Sequence, residues 1–177
     1  MGKVRLAQGY IRKERERTII PLLKKNWSIL DAACGDGWLT EILSKKGYNC
    51  LGVDLNPGLS VNTGKDIGRN LKSFVKADLR ELPFQDNSFD CIISFHTLEH
   101  VICEYEFKRV LKPGGLLIVE VPVADLSFRI LTILKLIQEG VKDHIRIVDF
   151  KKLPFKLIYK KRTGFGLSKL GVFFNNK

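Results

Sequence analysis

The feature that most constrains the fold is residues 29–43, where a short apolar run is interrupted by Cys34-Gly35-Asp36-Gly37 and then resumes with helical spacing. This pattern predicts a strand, a tight turn and a helix. Gly35 and Gly37 permit positive φ and close approach of a ligand, and the first helical turn directs unpaired N–H groups into the same space. The stretch predicts a nucleotide-like ligand, although a turn that binds nothing has the same local pattern.

A second apolar strand ends at Asp54, 19 positions after Gly35. An acid at this distance, at the tip of the neighbouring parallel strand, can accept hydrogen bonds from both hydroxyls of a ribose. Two ligand classes compete, the dinucleotides and S-adenosylmethionine. Thr40 stands where a dinucleotide site has its third glycine, and Asp36 would repel a pyrophosphate, so a nicotinamide oxidoreductase is disfavoured. Asp31 and Asp36 would instead attract the cationic sulfonium end of S-adenosylmethionine.

Several further motifs follow in a fixed order, and together they carry a family resemblance. The sequence resembles the class I S-adenosylmethionine-dependent methyltransferases, and within them the small-molecule branch that includes the quinone-biosynthesis methyltransferases. The matching motifs are Leu30-Asp31-Ala32-Ala33-Cys34-Gly35-Asp36-Gly37, Gly52-Val53-Asp54, Ala77-Asp78-Leu79-Arg80-Glu81-Leu82-Pro83-Phe84, Asp86-Asn87-Ser88-Phe89-Asp90, Leu98-Glu99-His100 and Val110-Leu111-Lys112-Pro113-Gly114-Gly115.

The resemblance implies a three-layer, Rossmann-like α/β fold with a doubly wound, mostly parallel sheet. It also implies S-adenosylmethionine as the cofactor and SN2 transfer of its methyl group to an acceptor. The residues expected to bind the cofactor are Asp31, Ala33, Cys34, Gly35, Asp36, Gly37, Asp54, Leu55, Asp78, Leu79, Ser94 and Phe95. Asp78 and Leu79 would hold the adenine, whereas an ordinary turn role for Asp78 stays open.

A group of polar residues, His96-Thr97-Leu98-Glu99-His100, follows the predicted fourth strand at the edge where open α/β folds bind ligands. His96 is the candidate catalytic residue, facing the transferring methyl, while the resemblance makes Glu99 and His100 mostly structural. His96 and His100 have the i, i+4 spacing of helix-borne zinc ligands. No third ligand accompanies them, and Glu99 is not where the base of a zinc protease helix would stand, so no metal is expected.

The length and composition predict one methyltransferase domain over residues 1–177. It divides into an N-terminal helical lid (1–27), a cofactor-binding core (28–122) and a shortened C-terminal substrate-side region (123–177). A frayed helix is expected at residues 60–72 and an apolar helix at 126–137. Since only residues 171–174 look like a terminal strand, we expect the C-terminal strands to be minimal or missing, in a minimal fold or a truncated chain.

The formal net charge of +11 is concentrated at the two ends of the chain. Residues 1–30 carry eight Lys or Arg against two acids, and residues 135–177 carry eleven against three. These flanks could contact an anionic partner, such as RNA or a phospholipid surface, or only maintain solubility. Ser94-Phe95-His96-Thr97 stands where amino-methylating nucleic-acid enzymes have an aromatic-proline tetrad, which favours a small-molecule acceptor. A non-catalytic adenosyl- or RNA-binding module and an RNA methyltransferase remain alternatives.

The four cysteines show no CxxC pair and no histidine at zinc spacing. They predict reduced, apolar side chains in a cytoplasmic protein. The most apolar stretch, residues 116–137, contains two acids, an arginine and a proline, so no transmembrane segment is expected.

Overall fold

A computed structural model describes residues 2–56, 73–123 and 147–177, without the side chains of residues 2–7 and of Phe165. The helices expected at residues 60–72 and 126–137 lie outside the described residues. The described α-helices are α1 (Gly2–Ile19), α2 (Trp38–Lys45) and α3 (Glu104–Val110), and short 3-10 helices lie at Ile20–Leu22, Phe150–Lys152 and Gly164–Gly166. The described strands are β1 (Ser28–Ala32), β2 (Asn49–Asp54), β3 (Phe74–Lys76), β4 (Phe89–Phe95), β5 (Leu111–Pro122), β6 (Lys156–Thr163) and β7 (Ser168–Phe174).

The strands form one sheet in the order β3-β2-β1-β4-β5-β7-β6. The first five pair in parallel, and β7 runs antiparallel to both β5 and β6. Because β1 lies between β2 and β4, the winding of the chain reverses on either side of β1. In open α/β sheets a ligand binds at such a switch point, outside the carboxyl ends of the strands.

Buried strands send successive side chains to opposite faces of the sheet. In β4, Ile92 belongs to a core that includes Phe107 of α3, whereas Ile93 belongs to a second core that includes Ile19 of α1 and Leu43 of α2. The sheet therefore has an apolar core on each face. The predicted three-layer, mostly parallel α/β fold is confirmed.

The expectation that the C-terminal strands would be minimal or missing is wrong. β6 and β7 form an antiparallel hairpin, and β7 pairs with β5 from Leu116, opposite Phe174, to Pro122, opposite Ser168. β6 lies at the edge of the sheet, and most of its side chains are exposed. A lysine-rich edge strand needs no regular alternation of apolar residues, so its sequence gives little strand signal.

Gly52 lies in β2 at a point of very close packing. A Cβ at this position would lie 2.7 Å from Oγ1 of Thr40, 2.9 Å from Sγ of Cys34 and 2.9 Å from the Phe74 ring. We expect Gly52→Ala to lower the free energy of unfolding by about 1–3 kcal/mol, because the neighbours must move apart. Gly9→Ala is the matched control: its Cβ meets nothing within 4 Å in α1, so stability should stay the same or rise. Urea denaturation measures both, and a Gly52→Ala variant as stable as wild type would contradict this packing.

Candidate functional site

The turn after β1 opens the backbone at the carboxyl edge of the sheet. Ala33, Gly35 and Gly37 have positive φ values of 61°, 51° and 75°. Gly37 directly precedes α2, and a Cβ on it would lie 2.7 Å from the ring of Phe74, so only glycine fits. The N–H of Gly35 donates to Oδ2 of Asp54 at 3.0 Å. This bond joins the turn to the end of β2.

Asp54 is held by two backbone donors. Oδ2 accepts from Gly35, and Oδ1 accepts from the N–H of Asn56 at 3.0 Å. Each carboxylate oxygen keeps a lone pair for a further donor. Asp54 lines a cavity of about 400 Å³, the Asp54 cavity, whose walls include Ala33, Leu55, Asp78, Leu79 and His96.

A second cavity of about 320 Å³, the Asp31 cavity, lies on the other side of the turn. Its walls include Asp31, Ala33, Cys34, Gly35, Asp36 and Phe95, and His96 again contributes. Ala33 and His96 therefore border both cavities. Together the two cavities form a cleft along the carboxyl ends of the parallel strands, with His96 at the junction.

Asp31 is a buried carboxylate at the base of its cavity. Its Oδ2 accepts hydrogen bonds from Oγ1 of Thr40 at 2.6 Å and from the N–H of Thr40 at 3.1 Å. Burial raises the pKa of Asp31 to about 6 against the opposing effect of these bonds, and the charges of Asp54 and Asp36 add to the increase. Thr40, the residue that departs from the dinucleotide pattern, thus orients an acid in the cleft.

Helix α1 covers the Asp31 cavity. Its residues Gln8, Ile11, Arg12 and Arg15 line the cavity. Arg12 forms an ion pair with Asp36 at 2.6 Å, but the two side chains are 40% and 37% exposed. An ion pair this exposed contributes about 0–1 kcal/mol, so Arg12 can exchange Asp36 for another anion at little cost.

Arg15 makes the more buried contact of α1 with the sheet. Its Nη2 lies 2.6 Å from Oε1 of Glu120, at the end of β5, and the two side chains are only 13% and 1% exposed. The guanidinium also lies over the ring of Phe95, 4.7 Å from its centroid. These contacts fix the helix across the mouth of the cleft.

His96 lies between two buried glutamates. Nε2 is 3.1 Å from Oε1 of Glu120, and Nδ1 is 3.3 Å from Oε1 of Glu99. Desolvation alone would lower the pKa of His96, but the two carboxylates outweigh it and raise the pKa above its usual value. Burial alone would raise the pKa of Glu120, yet bonds from His96 and Arg15 lower it to about 2. His96 has a φ of 54°, uncommon for a residue with a Cβ.

Asp78 pairs with Arg80 across the wall of the Asp54 cavity. Nη2 of Arg80 lies 2.6 Å from Oδ2 of Asp78, and Nε of Arg80 donates to both carboxylate oxygens. The hydrogen bonds from Arg80 lower the pKa of Asp78 to about 2. The Asp78 carboxylate lines the Asp54 cavity and is already paired with Arg80, so its role toward a bound adenine stays a prediction.

A family model described as a methyltransferase domain matches residues 30–119, which is half of the chain. These residues include most of β1, the glycine-rich turn, Asp54 and His96, so the match covers the part of the cleft formed by the sheet, without α1. The chain belongs to the class I S-adenosylmethionine-dependent methyltransferase family.

Individual methyltransferases show how far the similarity extends. The demethylmenaquinone methyltransferase of Clavibacter sepedonicus is 35% identical over 96 residues, which are 51% of this chain and 39% of the relative. A ubiquinone/menaquinone biosynthesis C-methyltransferase of Campylobacter jejuni is 31% identical over 119 residues, which are 61% and 50% of the two chains. The chain therefore spans only about two fifths to half of the length of these curated relatives.

Solved structures resemble the fold over most of its length. The crystal structure of the PH0226 protein from Pyrococcus horikoshii matches with a TM-score of 0.65 and 26% identity, covering 92% of this chain and 90% of that one. An S-adenosylmethionine-dependent methyltransferase from Methanosarcina mazei matches with a TM-score of 0.62 at 22% identity, covering 88% and 95% of the two chains. The methyltransferase fold thus extends beyond the part matched by the family model.

Most of the residues that the sequence assigned to cofactor binding line the cleft of this methyltransferase-family chain. The exceptions are Gly37, whose Cα faces the Phe74 ring, and Ser94, which is buried in β4. Sequence reasoning missed Glu120, Arg12 and Arg15 as parts of the cleft. In the sequence, Glu120 is visible only as an acid that interrupts an apolar strand, and Arg12 and Arg15 only as charges in an amphipathic helix. Neither pattern indicates which residue the side chain contacts.

The basic flanks do not act as one set of free charges. Arg12 and Arg15 pair with acids of the cleft. Lys13, Arg17 and Lys161 instead line a separate cavity of about 680 Å³ between α1 and β6. Within residues 2–56, 73–123 and 147–177, no helix is long and apolar enough to cross a bilayer, and no three His, Cys, Asp or Glu side chains are grouped to hold a metal ion.

Proposed function

We propose that this chain is an S-adenosylmethionine-dependent methyltransferase that acts on a small molecule. The observation that carries the proposal is the cleft of two cavities meeting at Ala33 and His96, each with an oriented acid, Asp54 in one and Asp31 in the other. Asp54 would accept hydrogen bonds from an uncharged ribose, and Asp31 would attract a cationic group. This combination fits a cofactor that is a nucleoside at one end and cationic at the other.

The adenosyl half would occupy the Asp54 cavity. Asp54 would accept hydrogen bonds from the two ribose hydroxyls, and the N–H groups of Gly35 and Asn56 already orient its carboxylate. Asp78 and Leu79 line the far wall, where the adenine would lie. The amino-acid half would occupy the Asp31 cavity, with its ammonium and sulfonium near Asp31. Arg12 is the candidate partner for the carboxylate, since its pair with Asp36 is weak.

The bound cofactor supplies a methyl group that the sulfonium already activates. What this chain must add is alignment of the acceptor with that methyl group and exclusion of water. Helix α1, held over the cleft by the ion pairs of Arg12 and Arg15, would exclude water. His96 lies at the junction of the cavities and is the residue proposed to face the acceptor.

The class of acceptor is proposed from two sources. The relatives of the matched region include proteins named as demethylmenaquinone and ubiquinone/menaquinone methyltransferases, which act on small molecules. In this chain, residues 94–97 at the end of β4 also lack the aromatic-proline tetrad of nucleic-acid amino methyltransferases. We therefore infer a small-molecule acceptor.

The experiment is label transfer. Purified protein is incubated with methyl-labelled S-adenosylmethionine and fractionated cell extract, and label should enter a small-molecule fraction. Asp54→Ala, tested at the same cofactor concentration, should transfer much less label. Label that enters RNA or protein would contradict the small-molecule acceptor, and no transfer above the variant in any fraction would contradict the methyltransferase activity.

The pH dependence of cofactor binding tests the role of Asp31. Its folded pKa of about 6 lies above its ordinary 3.8, so the folded protein without ligand loses stability as the pH rises from 3.8 to about 6. A cationic ligand needs the ionised form. We expect the affinity for S-adenosylmethionine to fall about tenfold between pH 7.5 and pH 5, and Asp31→Asn to lose this dependence. Calorimetry at several pH values measures it, and equal affinities at pH 5 and 7.5 in wild type would contradict the assignment.

A further inference from the structure

Helix α1 borders a third cavity on a different face from the one that covers the cleft. This α1–β6 cavity has a volume of about 680 Å³, larger than either cavity of the cleft, and shares no described lining residue with them. Tyr10, Lys13 and Arg17 line it, whereas Arg12 and Arg15 line the Asp31 cavity. Since a helix turns once in about 3.6 residues, these two sets point in nearly opposite directions. The α1–β6 cavity is therefore separate from the proposed cofactor site.

Three cationic side chains line the α1–β6 cavity. Lys13 and Arg17 lie one turn apart on α1, and Lys161 lies on β6. Lys13 and Arg17 are exposed, and among the side chains that the structure describes neither forms an ion pair. Like charges at i and i+4 of a helix repel each other. An anion bound in the cavity would relieve this repulsion.

Lys161 is held in the wall of the cavity instead of extending into water. Its side chain is 30% exposed, and its Nζ donates to Oγ1 of Thr18 at 2.6 Å and lies 3.9 Å from Oε1 of Glu14. Oε2 of Glu14, the one acid among the described lining residues, accepts from the N–H of Gly164 at 3.1 Å. Nζ carries three N–H groups, and Thr18 accepts from one of them. Lys161 is thus an oriented cation with donors left for an anion.

The other walls of the cavity are aromatic and apolar. Tyr10 and Tyr159 are 53% and 50% exposed, and Leu22 of the 3-10 helix after α1 completes the lining. A tyrosine offers a flat apolar ring together with a hydroxyl that can remain in water. A role in solubility would explain the cations, but it does not explain two exposed tyrosines beside them in a concave surface. Such a combination is typical of a ligand site.

We propose that the α1–β6 cavity binds an amphiphilic anion, a phosphate monoester attached to an apolar body. The three cations would bind the phosphate, and the two tyrosine rings would pack against the apolar part. Three cations and the carboxylate of Glu14 leave two net positive charges, which match the charge of about −1.5 to −2 on a phosphate monoester at pH 7. This group occurs both on free small molecules and on the headgroup of phosphatidic acid.

A single strand of RNA is the main competing anion, because tyrosine rings also stack on bases. Such a strand requires a basic groove that follows several successive phosphates. Arg12 and Arg15, on the other face of α1, are paired with acids of the cleft and do not extend the charge of the cavity. The cations are thus confined to a concave site, which favours a small charged group.

The test is isothermal titration calorimetry of the full chain with three probes. The probe 1-naphthyl phosphate has both the anion and the apolar body, inorganic phosphate has only the anion, and 1-naphthol has only the apolar body. We expect one equivalent of 1-naphthyl phosphate to bind about tenfold more tightly than either of the others, or better. No binding of 1-naphthyl phosphate at millimolar concentration, or equal affinity for inorganic phosphate, would overturn the proposal.

Variants locate the bound probe. The double variant Lys13→Gln, Arg17→Gln removes two exposed cations and should bind 1-naphthyl phosphate about tenfold more weakly. Lys151→Gln, Lys152→Gln makes the same change in net charge outside the cavity and should bind like wild type. If the first double variant also binds like wild type, the cavity is not the site. Tyr159→Thr, which keeps a β-branched residue in the edge strand, should also weaken binding, and an unchanged affinity would contradict the apolar contact.

Vesicles identify the source of the phosphate monoester. Co-sedimentation with phosphatidylcholine vesicles that contain phosphatidic acid, weakened in Lys13→Gln, Arg17→Gln but not in the control, would assign the site to a lipid headgroup. Binding of 1-naphthyl phosphate without binding to these vesicles would assign it to a free small molecule, and either result supports the site. A single-stranded RNA oligonucleotide that binds more tightly than 1-naphthyl phosphate, and loses its binding in the same double variant, would overturn the proposal in favour of a nucleic-acid surface.

Discussion

We expect Asp54→Ala to weaken binding of S-adenosylmethionine by about 2–4 kcal/mol, which is roughly 30-fold to 1000-fold in the dissociation constant. The variant loses two charge-assisted hydrogen bonds to the ribose. It also leaves the N–H groups of Gly35 and Asn56 without their acceptor. Isothermal titration calorimetry measures the change directly.

Two further variants serve as controls for the effect of Asp54→Ala on cofactor affinity. Asp54→Asn keeps one acceptor oxygen and should lose less affinity than Asp54→Ala. Asp86→Ala removes an exposed carboxylate outside the cleft and should bind the cofactor like wild type. If Asp54→Ala has the affinity of wild type, Asp54 does not hold the ribose.

Glu120→Ala should lower the free energy of unfolding by about 3–5 kcal/mol at pH 7, because it leaves a buried cation without its partner. Arg15 is only 13% exposed in its pair with Glu120, and His96 loses the carboxylate that lies 3.1 Å from its Nε2. Urea denaturation measures the loss, and Asp86→Ala, which removes only an exposed ion pair with Arg109, should change stability by no more than about 1 kcal/mol. A Glu120→Ala variant close to wild type in stability would show that the ion pair contributes little.

The same pair predicts a pH dependence with a definite sign. The folded pKa of Glu120, about 2, lies below its ordinary 4.5, so its contribution is complete above 4.5 and is lost as the pH falls toward 2. That contribution is roughly 3 kcal/mol. Wild type should therefore lose more stability than Glu120→Ala between pH 5 and pH 2. Parallel losses in the two proteins would contradict the lowered pKa.

The parts of the fold that could be predicted are those specified by neighbouring residues. Residues 89–95 are almost continuously apolar, as a central parallel strand requires, and β4 has these bounds. Asp54 could be placed because the residue that ends a strand must lie at the carboxyl edge of the sheet. The turn after β1 was predictable for the same local reason, and Gly35 and Gly37 both have positive φ.

The parts that could not be predicted depend on contacts between distant residues. Arg15 and Glu120 are 105 positions apart in the sequence, and the residues next to each of them do not indicate that the two side chains form an ion pair. Arg12 and Arg15 were therefore grouped with a basic flank, although both line the cleft. β6 was missed for a different reason, since an exposed edge strand needs to bury little and lysines are tolerated there.

The most direct test of the central claim is a calorimetric comparison of two ligands. Wild-type protein at pH 7.5 is titrated with S-adenosylhomocysteine and, separately, with NADH. We predict one equivalent of S-adenosylhomocysteine bound, much more weakly in Asp54→Ala, and no measurable binding of NADH, since Asp36 repels a pyrophosphate and Thr40 replaces the third glycine of a dinucleotide site. Tight binding of NADH, or no binding of S-adenosylhomocysteine, would contradict the assignment of this cleft to a methyltransferase cofactor.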